Sequence, residues 1–115
     1  MNTIELTKQR GPFGDECSLY SFTPKAGRIT IAELMKDALQ TKNEWGEVRV
    51  VYRDPITDWR GLKIPGKGAT YKMEFRRGEV VSNNIPQELQ RIEVTKGSAY
   101  GGWGRMDYSV IIPAE

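Results

Sequence analysis

Apolar and polar residues alternate along most of this chain, and in one stretch the spacing changes to that of a helix. Ile31, Leu34, Met35, Ala38 and Leu39 fall at i, i+3, i+4, i+7 and i+8, which places them on a single stripe. Glu33, Lys36, Asp37 and Gln40 take the other side. Thr30 and Glu33 stand at capping-box spacing, the hydroxyl accepting from the Glu33 amide while the carboxylate reaches back. The rhythm is lost from Thr41, and Gly46 marks the exit. The pattern predicts one amphipathic helix over about residues 31–41.

Elsewhere the period is two. Val48, Val50 and Tyr52 face one way, against Glu47, Arg49, Val51 and Arg53. Tyr71, Met73 and Phe75 alternate with Thr70, Lys72, Glu74 and Arg76. A tight turn at Arg77 and Gly78 sets Phe75 opposite Val80 and Arg76 opposite Glu79, so apolar meets apolar and charge meets charge. Ile92 and Val94 continue the theme, as do Met106, Tyr108, Val110 and Ile112. Ile4 with Leu6, and Tyr20 with Phe22, are weaker strand signals. The expected fold is α+β: an antiparallel sheet of five to seven strands with a single amphipathic helix packed on one face. No linker or repeat divides the chain, so residues 1–115 read as a single globular domain. A helix about 10–12 Å across cannot cover the whole inner face of such a sheet. The segments 8–17, 55–68 and 96–104, read as long loops, or a second subunit, are expected to cover the remainder.

Composition narrows the chemistry. The chain has 115 residues, 28% of them charged, which is enough for one core. It has no histidine, which removes Ser-His-Asp and Cys-His nucleophile systems, His-ligated haem and the usual zinc sets. Cys17 is the sole cysteine and has Asp15 and Glu16 beside it, which disfavour a reactive thiolate. No disulfide, metal site or cofactor is expected. The N-terminal residues lack the basic and apolar regions of a signal peptide, and no apolar run approaches the ~18 residues of a membrane span. The expectation is a soluble, cytoplasmic protein with no membrane association.

A net charge of +2 conceals an uneven distribution. Residues 53–77 hold seven basic and three acidic side chains, a local +4, while residues 1–52 are balanced and 78–115 come to −2. Arg53, Arg60, Lys63 and Lys67, with Trp59 among them, have the residue types that contact phosphates and stack a base. The G-x-x-x-x-G-K spacing of residues 61–67 is not a phosphate-binding loop. Gly68 replaces the Ser or Thr that would ligate Mg²⁺, and a strand pattern follows where a helix is needed.

Residues 97–104 place four glycines around Tyr100 and Trp103. Read as a loop, this stretch is either a lid over the core or an aromatic contact platform. Trp45 reads as a plug between the helix and the next strand. Asp15 with Glu16, and Asp54 with Asp58, could each supply paired carboxylates for acid–base work, and both pairs lie in turn-like sequence. Three functional readings follow in order. The first is a small non-catalytic binding or adaptor protein that engages a protein partner or a second copy of itself through Tyr100, Trp103 and Trp59. The second is a nucleic-acid-binding module using Arg53, Arg60, Lys63 and Lys67. The third is a carboxylate-based enzyme.

Overall fold

The computed structural model describes residues 3–13, 17–41, 43–57 and 59–112; the side chains of residues 12–13, 54–57 and 63–67 lie outside that description. The elements in chain order are β1 (Ile4–Phe13), β2 (Cys17–Pro24), β3 (Ile29–Thr30), α1 (Ile31–Leu39), β4 (Trp45–Thr57), β5 (Lys63–Arg76), β6 (Glu79–Asn83), α2 (Gln87–Gln90), β7 (Glu93–Val94), β8 (Gly97–Gly102) and β9 (Arg105–Ile112). Seven strands form one sheet in the order β1-β2-β8-β9-β4-β5-β6, and β3 pairs with β7 in a two-stranded ribbon. The fold is α+β, but the sheet is mixed rather than purely antiparallel, because β9 lies parallel to β4 from Trp45↔Arg105 to Tyr52↔Ile112. Alternation has the same period in both pairings, so it carries no information on strand direction. Direction is set by the route of the chain, which returns to insert β9 between β8 and β4.

The alternating residues line up in rows across the inner face. One row runs Tyr20, Ala99, Tyr108, Val48, Met73. The next runs Ser18, Gly101, Met106, Gly46, Phe75, Val80. Val48, Val50, Met73, Phe75, Tyr108, Val110 and Ile112 are all buried. The expected hairpin register is present, with Phe75 opposite Val80 and Arg76 opposite Glu79. Its two-residue turn places Arg77 and Gly78 at φ 51° and 79°, the signature of the turn type that matches strand twist.

The glycine-rich segment expected to be a loop is mostly strand β8, an interior strand of the sheet between β2 and β9. Its glycines make room for neighbouring side chains. A Cβ on Gly97 would strike the Phe22 ring, and one on Gly101 would come within 2.7 Å of Met106. Phe22 is fully buried and meets Tyr108 edge to face at 6.1 Å. Only Trp103 and Gly104 remain as a turn. The other two segments read as loops are also largely extended, in β1 and in the hairpin of β4 and β5.

The capping box forms as its residues predict. The Glu33 amide donates to Thr30 Oγ1 at 3.1 Å and the Thr30 amide donates to Glu33 Oε1 at 3.3 Å. Helix α1 ends at Leu39, two residues short of the expected 41, and buries Ile31, Leu34, Met35 and Ala38 against the sheet. Asp37, assigned by periodicity to the polar side, is buried and accepts the Thr3 backbone N–H at 3.0 Å. The rest of the inner face is covered by the β3–β7 ribbon and the segment before it, which contribute Ile29, Ile85 and Val94 to the core. The Ile31 amide donates to the Ile92 carbonyl at 3.0 Å and ties this segment to the start of the helix. Much of the cover expected from loops is thus supplied by this ribbon and segment, while Val80, at the β6 end of the inner row, stays exposed.

Burial, and secondarily the charge of Asp37, push the Tyr108 hydroxyl up to about 12. The folded state thus holds this proton more tightly than the unfolded chain, whose tyrosines titrate near 10. The stability Tyr108 contributes is complete below pH 10 and is lost as pH rises toward 12, by up to about 3 kcal/mol. Urea titrations at pH 9 and pH 11.5 are expected to show a smaller alkaline loss for Tyr108→Phe than for wild type.

Candidate functional site

The features that distinguish this fold lie on its surface, at three places. The first arises because β4 and β5 outrun the strand beside them. Among the described residues, β9 accompanies β4 as far as Tyr52, and β4 continues to Thr57, paired with β5 back to Lys63. Among the described residues, the stretch from Arg53 onward is a two-stranded ribbon projecting past the body of the sheet. A register shift between Arg53 and Pro55 marks its root. Gly68 permits that kink, since a Cβ there would meet the Arg53 stem at 2.7 Å. Pro55 faces Pro65 across the ribbon, an arrangement tolerated where strands have a free side. The arm also elongates the molecule to 47 × 30 × 26 Å, with a radius of gyration of 14.9 Å against about 13 Å for an ordinary domain of this length.

Trp59 stands at the tip of this arm with 92% of its surface exposed. The Arg60 guanidinium lies over the indole, its carbon 5.6 Å from the ring centroid. Arg53 is exposed at the root. Lys63 and Lys67 belong to β5, but their side chains lie outside the described residues. By sequence the ribbon and its tip carry four cations and two carboxylates.

The second place is the opposite end of β4. Thirteen residues of strand separate the two ends by about 40 Å. There the β8–β9 turn holds Trp103 at φ 54° and Gly104 at φ 77°. Trp103 is 68% exposed, and Tyr100 is exposed on the outer face beside it in sequence. Trp45, expected to plug the core, is exposed instead: it shares the outward positions of β4, and Gly46 takes the inner one beneath Phe75. The amides of Glu44 and Trp45 both donate to the Gly104 carbonyl, which anchors the turn to β4. The three aromatics singled out in the sequence are all exposed, but they do not form one surface. Tyr100 and Trp103 share an end, and Trp59 is a molecule's length away.

The third place is the outer face of the sheet, where sequence reasoning proposed no site. Asp107, Glu47 and Glu74 are register neighbours across β9, β4 and β5. Each is paired two residues along its own strand: Arg105 to Asp107, Arg49 to Glu47 and Lys72 to Glu74, all at 2.8 Å. Their mutual hydrogen bond raises Lys72 and lowers Glu74, and the bond to Asp107 raises Arg105. Trp45, Glu47, Arg49, Lys72, Glu74 and Arg105 line an open depression of about 350 Å³, with Glu47 buried at 6% exposure. Both of its carboxylates are tied to cations on their own strands. Asp107 Oδ1 is buried with no partner, while Oδ2 takes Arg105. The signal was present in the sequence as opposite charges two apart on each strand. Of the carboxylate pairs noted from sequence, Asp15, Glu16 and Asp58 lie outside the described residues, as does the Asp54 side chain. No group of three or more His, Cys, Asp or Glu among the described residues is arranged to hold a metal ion. No described helix is long and apolar enough to cross a membrane.

The geometry defines a mixed-sheet α+β protein with a projecting, tryptophan-tipped arm. The sequence matches no protein-family model, and comparison with curated proteins and with solved structures finds no match.

A bulky residue in the left-handed region is strained by roughly 1–2 kcal/mol, and the first position of this turn type favours Asn. Trp103→Asn is therefore expected to raise unfolding free energy by about 0.5–1 kcal/mol. Trp59→Ala is expected to stay within about 0.5 kcal/mol of wild type, because nothing folded is built on it. Paired urea midpoints check both.

Proposed function

We propose that this chain is a non-catalytic binding protein whose contact element is the β4–β5 arm, and that its partner is a nucleic acid. The observation that carries this reading is the placement of Trp59, almost fully exposed at the tip of a projecting ribbon and flanked by Arg60. The described cations of the sheet face, Arg49, Lys72 and Arg105, are neutralised by carboxylates on their own strands. The arm has twice as many cations as carboxylates. An exposed indole interleaved with cations suits a ligand that offers phosphates and base faces together.

The test is an anisotropy titration of the full chain with labelled oligonucleotides. Binding is expected at ~50 mM salt, and log affinity should fall with log salt at a slope no steeper than about −4, the limit set by four cations. Replacing Arg53, Arg60, Lys63 and Lys67 together by Glu should abolish binding without unfolding the protein. Absence of binding at ~50 mM salt, where phosphate contacts are strong, defeats the reading.

A second reading, engagement of a protein partner or a second copy of the chain, is favoured by Trp103. This residue is held exposed in a conformation that costs stability, and such strain tends to be retained where it serves a contact. On this reading sedimentation at high concentration shows self-association that Trp103→Ala weakens. A monomer at all concentrations, with the same partners recovered by wild type and Trp103→Ala in pull-downs, excludes it.

A further inference from the structure

We infer that the arm is built for single-stranded rather than duplex nucleic acid, with Trp59 as a stacking platform for one base. This rests on the reading of the arm as a nucleic-acid contact and specifies which form of nucleic acid it takes. A two-stranded ribbon is narrow enough for the major groove of a duplex, about 12 Å wide, so size alone does not choose between the two forms. In the middle of the ribbon Pro55 faces Pro65 and Ile56 faces Ile64, apolar pairs that read no base edges by hydrogen bonding, while Lys63 and Lys67 suit the phosphates of either form.

Trp59 points the same way. Arg60 lies over the indole, and 92% of the residue remains open, so the ring can still take another planar group. In a duplex the base faces are already stacked on one another, and an indole reaches them only by wedging the steps apart, at a cost of a few kcal/mol. In a single strand the base faces are available without that cost. A base stacked on Trp59 also brings its own phosphate within the neighbourhood of Arg60.

Charge favours the same form. A duplex presents one negative charge per ~1.7 Å of axis, far more than four cations can neutralise. Stacking then supplies affinity that salt does not screen.

The experiment compares a labelled single-stranded oligonucleotide with the duplex of the same sequence, at matched salt, for wild type and Trp59→Ala. Tighter binding of the single strand is expected. Trp59→Ala should weaken it by roughly 5- to 150-fold, the range that base–aromatic stacking spans, with the salt slope unchanged. The thermal midpoint of the variant verifies that it is folded. Duplex binding equal to or tighter than single-strand binding, or a single-strand affinity that Trp59→Ala leaves intact, overturns the inference while the arm remains a nucleic-acid contact. If neither form binds, the broader reading fails as well.

Discussion

Strands β4 and β5 pair with each other for longer than anything else pairs with them. From Trp45 to Tyr52, β4 is held on both sides, by β9 and by β5, and its inward side chains reach zero exposure at Val48 and Val50. Among the described residues, the partnership with β9 reaches Tyr52 and the hairpin continues beyond it. A strand pair without a face to bury is marginal by itself, so the ribbon depends on the rigid body for its existence and direction. The kink at Arg53, the close approach at Gly68 and the facing prolines all sit at this transition. They are the chemistry of a strand leaving a sheet: an irregular register, room for the neighbouring backbone and fewer amide donors.

The same division organises the charge. On the outer face of the body, opposite charges alternate along β4, β5 and β9, so every carboxylate in the central row has a cation two residues away. Exposed pairs of this kind add little to stability individually, about 0–1 kcal/mol. Their consequence is electrostatic: the face is neutral as a whole and holds Glu47 nearly buried without leaving it unpaired. The arm carries four cations and two carboxylates by sequence, together with an open aromatic ring, whereas the charged side chains lining the depression are ion-paired along their strands.

Much of the architecture was readable from residue spacing. The Thr30 and Glu33 capping box, the buried stripe of α1 and the inward rows of β4, β5 and β9 depend on local periodicity and fold accordingly. So does the pairing of Phe75 with Val80 across a two-residue turn. Errors arose wherever a neighbour distant in sequence decides the outcome. Residues 97–102 resemble a loop because four glycines interrupt the pattern across residues 97–104; they are a strand because Phe22 and Met106 fill the space that side chains would occupy. Asp37 sits on the helix face that periodicity calls polar, yet it is buried because the Thr3 amide comes to meet it. The ion-paired ladder on the outer face was visible only as pairs, since its cross-strand row exists once β9, β4 and β5 lie side by side.

For the candidate site, composition and charge distribution by themselves pointed to residues 53–67 and to the exposed-looking aromatics, because local chemistry is a property of the residues. Whether those residues act together is a property of the fold. Alternation cannot distinguish a parallel from an antiparallel neighbour, nor reveal where a neighbour stops. Among the described residues, the parallel insertion of β9 beside β4 as far as Tyr52 turned a supposed loop into a projecting arm and put Trp59 and Trp103 at opposite ends of β4, a strand about 40 Å long. The sequence determined which groups are available to bind; only the tertiary structure decided that they stand on two separate surfaces, because strand pairing between distant segments sets where each chain end of the sheet lies.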